Sequence, residues 1–450
     1  MARSLARDHT FAIEPLIFNN TELAGKRGRY GRFYAEYAPG LPLALSPLVV
    51  LGDTMPSSAA KFASLYFWQH EGDDDVLPRI LVSYFDIAIV ALTAGLLVLL
   101  VTRLDYSRPA AVFVGAAFAL STFAWGQARI INPEPLQTFL IISAVLLTLQ
   151  TSTKQSFVGG CALGLAVLVK MTSLLVLPAL AMLRDERDIP IWRQPARAAA
   201  VLAPVICALA IYAWYNYSRF GSFAATGYNF SGTVAELGGN GLGNPTIGLY
   251  GLLLSTGRGI IWYAPPVVAA MIGSVRFYRS KRATALAFAT LVALWVGLHS
   301  FYEGWDSGWG WGPRYLLPIV PFLLIPIAEA LKFRAGKLAC AGLCVIGFFV
   351  QLPGALVDSI ASGRAGMAVF GQTAQEHTPA SFVAWRNFQL AGSEILRHSA
   401  LALHGQVDLA WLTFANTCLP MITFVAAVLF LASGVFMLIS PRLLRHRNAQ

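Results

Sequence analysis

Eleven apolar runs separated by short polar loops constrain this chain more than any other feature. They lie at about 80–101, 109–126, 135–150, 156–169, 172–183, 198–216, 259–275, 283–300, 315–331, 336–357 and 412–439. A bilayer's hydrocarbon core is crossed by roughly 20 apolar residues in a helix, and most of these runs approach that length. Only 12% of residues are charged and mean hydropathy is +0.60, whereas soluble chains carry about 25% charged residues. The chain therefore reads as an all-α polytopic membrane protein with about eleven transmembrane helices. The short runs 156–169 and 172–183 read either as two spans or as one longer broken helix.

Lysine and arginine placement orients such a chain, because basic loops stay in the cytoplasm. The loops at 102–108, 151–155, 184–197, 276–282 and 332–337, with the tail after 441, hold 17 of the 33 Lys and Arg residues. The opposite loops, at 127–134, 170–171, 217–258, 301–314 and 358–411, hold 8, and residues 1–79 hold another 8. The first set is expected to be cytoplasmic and the second external. The net charge of +10 then reflects basic loops on a membrane face and implies no nucleic acid.

Four regions are expected. Residues 1–79 form an external segment with an interfacial or re-entrant helix at 38–52, a stretch with three prolines that is too short to span. Residues 80–357 form the transmembrane core, 358–411 an external loop, and 412–450 a last span with a basic tail. An external segment without a signal peptide leads to the expectation that a first transmembrane helix precedes Met1; merging the paired short runs, which turns the N-terminus inward, is the alternative. The five cysteines lie in or beside apolar runs without metal-ligand spacing and read as small hydrophobes.

The polar clusters gather in the external set. Residues 299–321, HSFYEGWDSGWGWGPRYLLPIVP, combine Trp305, Trp309 and Trp311 with glycines, Glu303, Asp306 and Arg314. Tryptophan faces suit stacking on a sugar ring, or an interfacial belt. Residues 28–47 carry Arg29, Arg32, Glu36 and the tyrosines Tyr30, Tyr34 and Tyr37, either as a site or as an interface anchor. Glu134, in WGQARIINPEP, caps the following helix through its dipole or acts in chemistry. Lys170 lies between apolar residues and must snorkel or meet an anion. In STGRGIIWYAPP, Gly257 and Gly259 flank Arg258 and would let backbone and guanidinium converge on a phosphate. The Gly- and Asn-rich stretch 217–248 reads as a lid or as a plain connection. No zinc-protease, P-loop, nucleophile-elbow or C-x-x-C motif occurs. With no charged residue in the middle of an apolar run, an ion-coupled transporter is disfavoured.

The pieces RYGRFYAEYAPGLPLALSPLVVLG, ALSTFAWGQARIINPEPLQTF, GLAVLVKMTSLLVLPAL, YNYSRFGSF, STGRGIIWYAPP and YEGWDSGWGWGPRYLLPIVPF span roughly residues 28–325. Together they resemble the polytopic GT-C glycosyltransferases, specifically the bacterial family-39-like and lipid-A-sugar-transferase-like group. That resemblance implies a bacterial inner-membrane enzyme that moves a sugar from a polyprenyl-phosphate donor to a lipid, glycan or protein acceptor on the external face, without a nucleotide site or an indicated metal. The family places an acidic base after its first transmembrane helix, and here that helix and base are expected before Met1. Within the chain the candidate acids are Asp306, Glu303 and Glu36. Arg314, Arg258 and Lys170 are the candidates for donor phosphate, and Trp305, Trp311, Tyr34, Tyr37 and Tyr315 for the sugar or lipid. A lipid-linked saccharide transporter and a catalytically inactive partner subunit are the competing readings.

Overall fold

A computed structural model of the chain describes residues 1–408 except 14–15, 19–20, 57–75, 186–187, 228–241, 309 and 374–377. Every run read as a span between residues 80 and 357 is helical, and the all-α polytopic reading holds. The run at 412–439, Trp309, Cys418 and residues 228–241 of the 217–248 stretch lie outside the described residues. Among the described residues four helices are long and apolar enough to cross a membrane: Val76–Arg103, Pro195–Phe220, Arg282–Phe301 and Arg334–Leu356. Shorter apolar helices, Arg108–Ser121, Pro133–Thr148, Thr153–Val169 and Met171–Met182, run beside them.

The paired short runs are a hairpin and not one broken helix. Arg197 donates to Ser156 at the start of the first and pairs with Asp185 just after the second, at 3.2 Å. The chain has therefore returned to the level where it began. Between the runs Lys170 is extended, and Ser173 Oγ donates back to the Ala166 carbonyl at 2.9 Å. The 315–331 run is also broken, into a 3-10 turn Arg314–Ile319 and the short helices Val320–Leu324 and Ile327–Ala330. Pro318, Pro321 and Pro326 interrupt its hydrogen-bond ladder.

Basic loops meet at one end of the bundle. Lys281 reaches Asp105 at 2.6 Å, and Glu329 takes hydrogen bonds from Tyr106 and Ser280 and pairs with Lys332. The loops that carry the candidate site residues meet at the other end. There the N-terminal segment is less purely helical than expected. Strands Ala12–Ile13, Phe33–Tyr34 and Lys26–Arg27 form a small antiparallel sheet, with a second hairpin between Leu16–Phe18 and Thr21–Ala24. The expected interfacial helix is Gly40–Thr54. A Cβ on Gly40 would stand 2.5 Å from the Val169 backbone nitrogen, so only glycine brings this helix so close to Lys170. Residues 358–408, expected as a loop, fold into helices Ser359–Thr373, Pro379–Phe388 and Glu394–Leu403.

Candidate functional site

Asn132 opens the helix Pro133–Thr148 in extended conformation, yet its side chain does not cap that helix. Its Oδ1 instead accepts from Arg314 Nη1 at 3.0 Å, while its Nδ2 donates to Gln127 Oε1 at 3.1 Å. Gln127 Nε2 in turn donates to the Trp311 carbonyl at 2.6 Å. The Asn132 N–H donates to Asp86 Oδ2 at 2.9 Å. Arg314 is thus aimed by a buried relay that joins three helices to the tryptophan-rich stretch. Its Nε is itself buried and without a partner.

Glu134, two residues on, is buried and takes a 2.7 Å salt bridge from Lys170. It is the lysine's counter-ion, with its second oxygen, Oε2, unpartnered. The Lys170 ammonium also lies 4.1 Å from the centre of the Tyr315 ring, whose face carries negative quadrupole density. Gln137, one helical turn beyond Glu134, donates to Thr172 and Ser173 and so locks the turn that follows Lys170. Lys170, Arg314 and Tyr315 are therefore brought together. All three are half-buried, and partial removal from water lets the two cations attract an anion more strongly than fully exposed cations do.

One acid, Glu36, stands near this cluster. Tyr37 hydrogen-bonds Glu36; burial first, then the neighbouring Glu36 carboxylate, raises the tyrosine's pKa, while Arg314 opposes. Burial, then Tyr315 and Glu36, push the Tyr302 hydroxyl to about 12. Glu36 and Arg314 thus act on the same two tyrosines. Glu303 keeps a buried, unpartnered Oε2. Gly227 abuts the Glu36 backbone, and Leu242 pairs with Tyr302.

Other expected site residues are placed elsewhere. Arg258 is fully buried, gripped by Glu394 at 2.7 and 2.8 Å, and donates to the carbonyls of Gly308, Gly310 and Gly312. Its guanidinium is a clamp on the glycine-rich turn, and a phosphate would have to displace a carboxylate. Asp306 is held by Arg386 and by Asn387 at 2.8 Å. Burial raises its pKa, but Arg386, Arg258, Asn387 and the Gly308 N–H outweigh this and leave it below the usual carboxylate range. A carboxylate so paired is a poor proton acceptor.

The tryptophans fill space as well. Trp311 has 0% exposure and slots between Gly126 and Gly354, where a Cβ would come within 2.4 and 2.3 Å of its ring; its N–H donates to Gln351 at 2.7 Å. Trp305 is buried against Gly251 and Phe388. Tyr34 is buried in the N-terminal sheet against Phe220. None of the three faces the Lys170–Arg314 cluster as an open stacking surface. Among the described residues no three His, Cys, Asp or Glu side chains gather to hold a metal ion.

Asp86, Asn132 and Gln127 were missed in the sequence. Asp86 lies inside the 80–101 run near its start, and only its lone carboxylate among apolar residues marks it. Arg219 and Tyr215, on YNYSRFGSF, were likewise given no role.

Residues 76–301 match the family model for Glycosyltransferase family 87. No curated protein matches the chain in sequence. Two crystal structures are similar. That of ArnT from Cupriavidus metallidurans bound to undecaprenyl phosphate is 15% identical with a TM-score of 0.47, over 93% of this chain and 67% of that one. That of ArnT from the same organism in the apo state is 14% identical with a TM-score of 0.44, over 92% of this chain and 69% of that one.

Proposed function

This chain belongs to glycosyltransferase family 87, and on that premise we propose that it transfers a sugar from a polyprenyl-phosphate donor to a lipid, glycan or protein acceptor. It is a membrane glycosyltransferase. The observation that carries the proposed donor is the convergence of Lys170 and Arg314, held from behind by the buried Glu134 and Asn132, on one half-buried cluster at Tyr315.

In the proposed reaction the acceptor hydroxyl attacks the sugar's C1, the bond from C1 to the phosphate oxygen breaks, and the electron pair leaves on the polyprenyl phosphate. Lys170 and Arg314 balance that growing charge, where preorganised cations act most strongly. Glu36, hydrogen-bonded by Tyr37, takes the hydroxyl proton as general base, and Glu303 is the second acid at hand. The isoprenoid chain would follow the apolar cleft of about 510 Å³ between the helices Pro245–Leu253 and Arg282–Phe301, whose lining ends at Ser300 and Phe301 beside Tyr302. Because the basic loops meet at the far end of the bundle, the positive-inside rule supports an active face outside the cytoplasm, in a bacterial plasma membrane.

The test is sugar transfer in proteoliposomes loaded with a polyprenyl-phosphate-linked sugar labelled in the sugar. Transfer or release of label is expected, with a loss of about 100-fold or more in Arg314→Ala. Movement of the intact labelled lipid between leaflets without release would overturn the transferase reading in favour of a transporter. Neither transfer nor movement, with a second enzyme retained on purification, would favour an inactive partner subunit.

A further inference from the structure

Residues 26–32, KRGRYGR, place four cations within seven residues, half of the eight found in residues 1–79. Arg27 and Arg32 are exposed, and Lys26 and Arg29 are half-buried. Among the described residues none of the four has an ion pair with a carboxylate. Aromatic rings accompany them instead. The Arg29 guanidinium lies 5.1 Å from the ring centres of both Tyr30 and Tyr217, and that of Arg27 lies 5.8 Å from Phe33. Phe223 extends the row, stacked on Tyr217 at 4.8 Å. The outer members stand in the open, Tyr30 at 81% exposure and Phe223 at 63%.

Position says what meets them. Gly221, with φ of 77°, ends the helix Pro195–Phe220, one of the four long enough to cross a membrane. The Arg29 side chain rests on Gly221, and Gly28 sits against the Arg219 carbonyl. The patch is therefore fastened to the point where a spanning helix leaves the bilayer. At that depth aromatic rings sit among headgroups, and lysines and arginines are attracted to an anionic lipid surface. Cations left without carboxylates, and interleaved with exposed rings, complement a surface that supplies phosphate charge and an apolar boundary together.

We propose that Lys26, Arg27, Arg29 and Arg32, with Tyr30, Tyr217 and Phe223, form a docking site for the phosphate headgroups of anionic bilayer lipids. Bound lipid fastens the N-terminal segment, which carries Glu36, to the membrane surface.

Native mass spectrometry of the detergent-purified full chain, titrated with phosphatidylglycerol or phosphatidylcholine, reads this directly. Phosphatidylglycerol is expected to be retained preferentially, and Arg27→Gln/Arg29→Gln/Arg32→Gln is expected to weaken its retention on the order of 100-fold. Arg27→Lys/Arg32→Lys keeps the charge and is expected to retain lipid as the unchanged protein does. An unaltered thermal unfolding midpoint in the triple variant separates lost lipid from lost fold; should the triple variant unfold, Arg27→Gln/Arg32→Gln at the exposed positions replaces it. Equal retention of the two lipids, or undiminished phosphatidylglycerol in the glutamine variants, would overturn the proposal. So would displacement of the lipid by millimolar inorganic phosphate at constant ionic strength, which would mark a small-anion site.

Discussion

Tyr215 and Arg219 stand one turn apart on the helix Pro195–Phe220 and hold the backbone on either side of Glu36. Tyr215 Oη donates to the Tyr37 carbonyl at 3.1 Å, and Arg219 Nη1 donates to that of Ala35. The guanidinium lies 3.7 Å from the Tyr215 ring centre and also donates to Asn216 Oδ1 at 2.9 Å, so the two anchors brace each other. Glu36 thus owes its position to a spanning helix and not to its own short loop.

Tyr215→Phe removes one anchor and keeps the ring. We expect a stability loss of about 1 kcal/mol by thermal unfolding in detergent. Transfer is expected to fall on the order of 10- to 100-fold in kcat, because a small displacement of a reacting group is costly. The KM for donor should hold, since Lys170 and Arg314 are untouched. A raised donor KM with unchanged kcat would show that Glu36 is not the group being positioned.

The Lys170–Glu134 pair calls for a double-mutant cycle. Lys170→Met strands a buried carboxylate and is expected to destabilise by roughly 3–5 kcal/mol. Adding Glu134→Gln removes the stranded charge and should restore most of that loss, as coupled neighbours do. Activity should not return, because the cation proposed to face the phosphate is still missing. Recovery of transfer in the double variant would reduce Lys170 to a structural counter-ion.

The spans were legible because a run of apolar residues declares itself without knowledge of its partners. Lys170 drew attention for a related reason: a cation among apolar residues must snorkel or meet an anion. Arg258 and Asp306 misled because their partners, Glu394 and Arg386, lie 136 and 80 residues downstream in a stretch read as plain loop. Glu134 was weighed as a helix cap because its place at a helix start was visible and its partner 36 residues away was not. Trp311 looked like a stacking platform, and only Gly126 and Gly354, both pressed against its ring, show a wedge. Spacing along a chain carries periodicity well and carries such long-range pairings hardly at all.

Trp311 offers a direct test of that distinction. Truncation to alanine empties a slot between two helices and leaves Gln351 Oε1 without its donor, for an expected loss of roughly 3–5 kcal/mol. Trp311→Phe keeps one aromatic ring but loses the N–H donor and the five-membered ring packed against the two glycines, for a smaller expected loss of about 2–3 kcal/mol. In neither variant should the folded fraction change its KM for donor. A selective rise in that KM, with the unfolding midpoint preserved, would return Trp311 to the sugar site.

His398 sets how acid acts on the helix Glu394–Leu403. Its ring lies 4.7 Å from that of Trp311, and its pKa is depressed to about 4, first by burial and then by Arg397, Arg129 and Arg258, against a hydrogen bond at Pro353. The unfolded chain, with an ordinary value near 6.5, binds the proton more readily than the folded one. The neutral ring's contribution is therefore complete above about pH 6.5 and is lost as pH falls toward 4. At one pKa unit per 1.36 kcal/mol, lowering the pH from 7 to 5 should cost about 2 kcal/mol. Asp306 adds nothing in that window, since its depressed pKa keeps it ionised until the pH passes below the carboxylate range. Thermal unfolding measured from pH 7 to pH 5 should show this slope in the unchanged protein and a much flatter one in His398→Gln. An equal slope in both would place the acid sensitivity in another group.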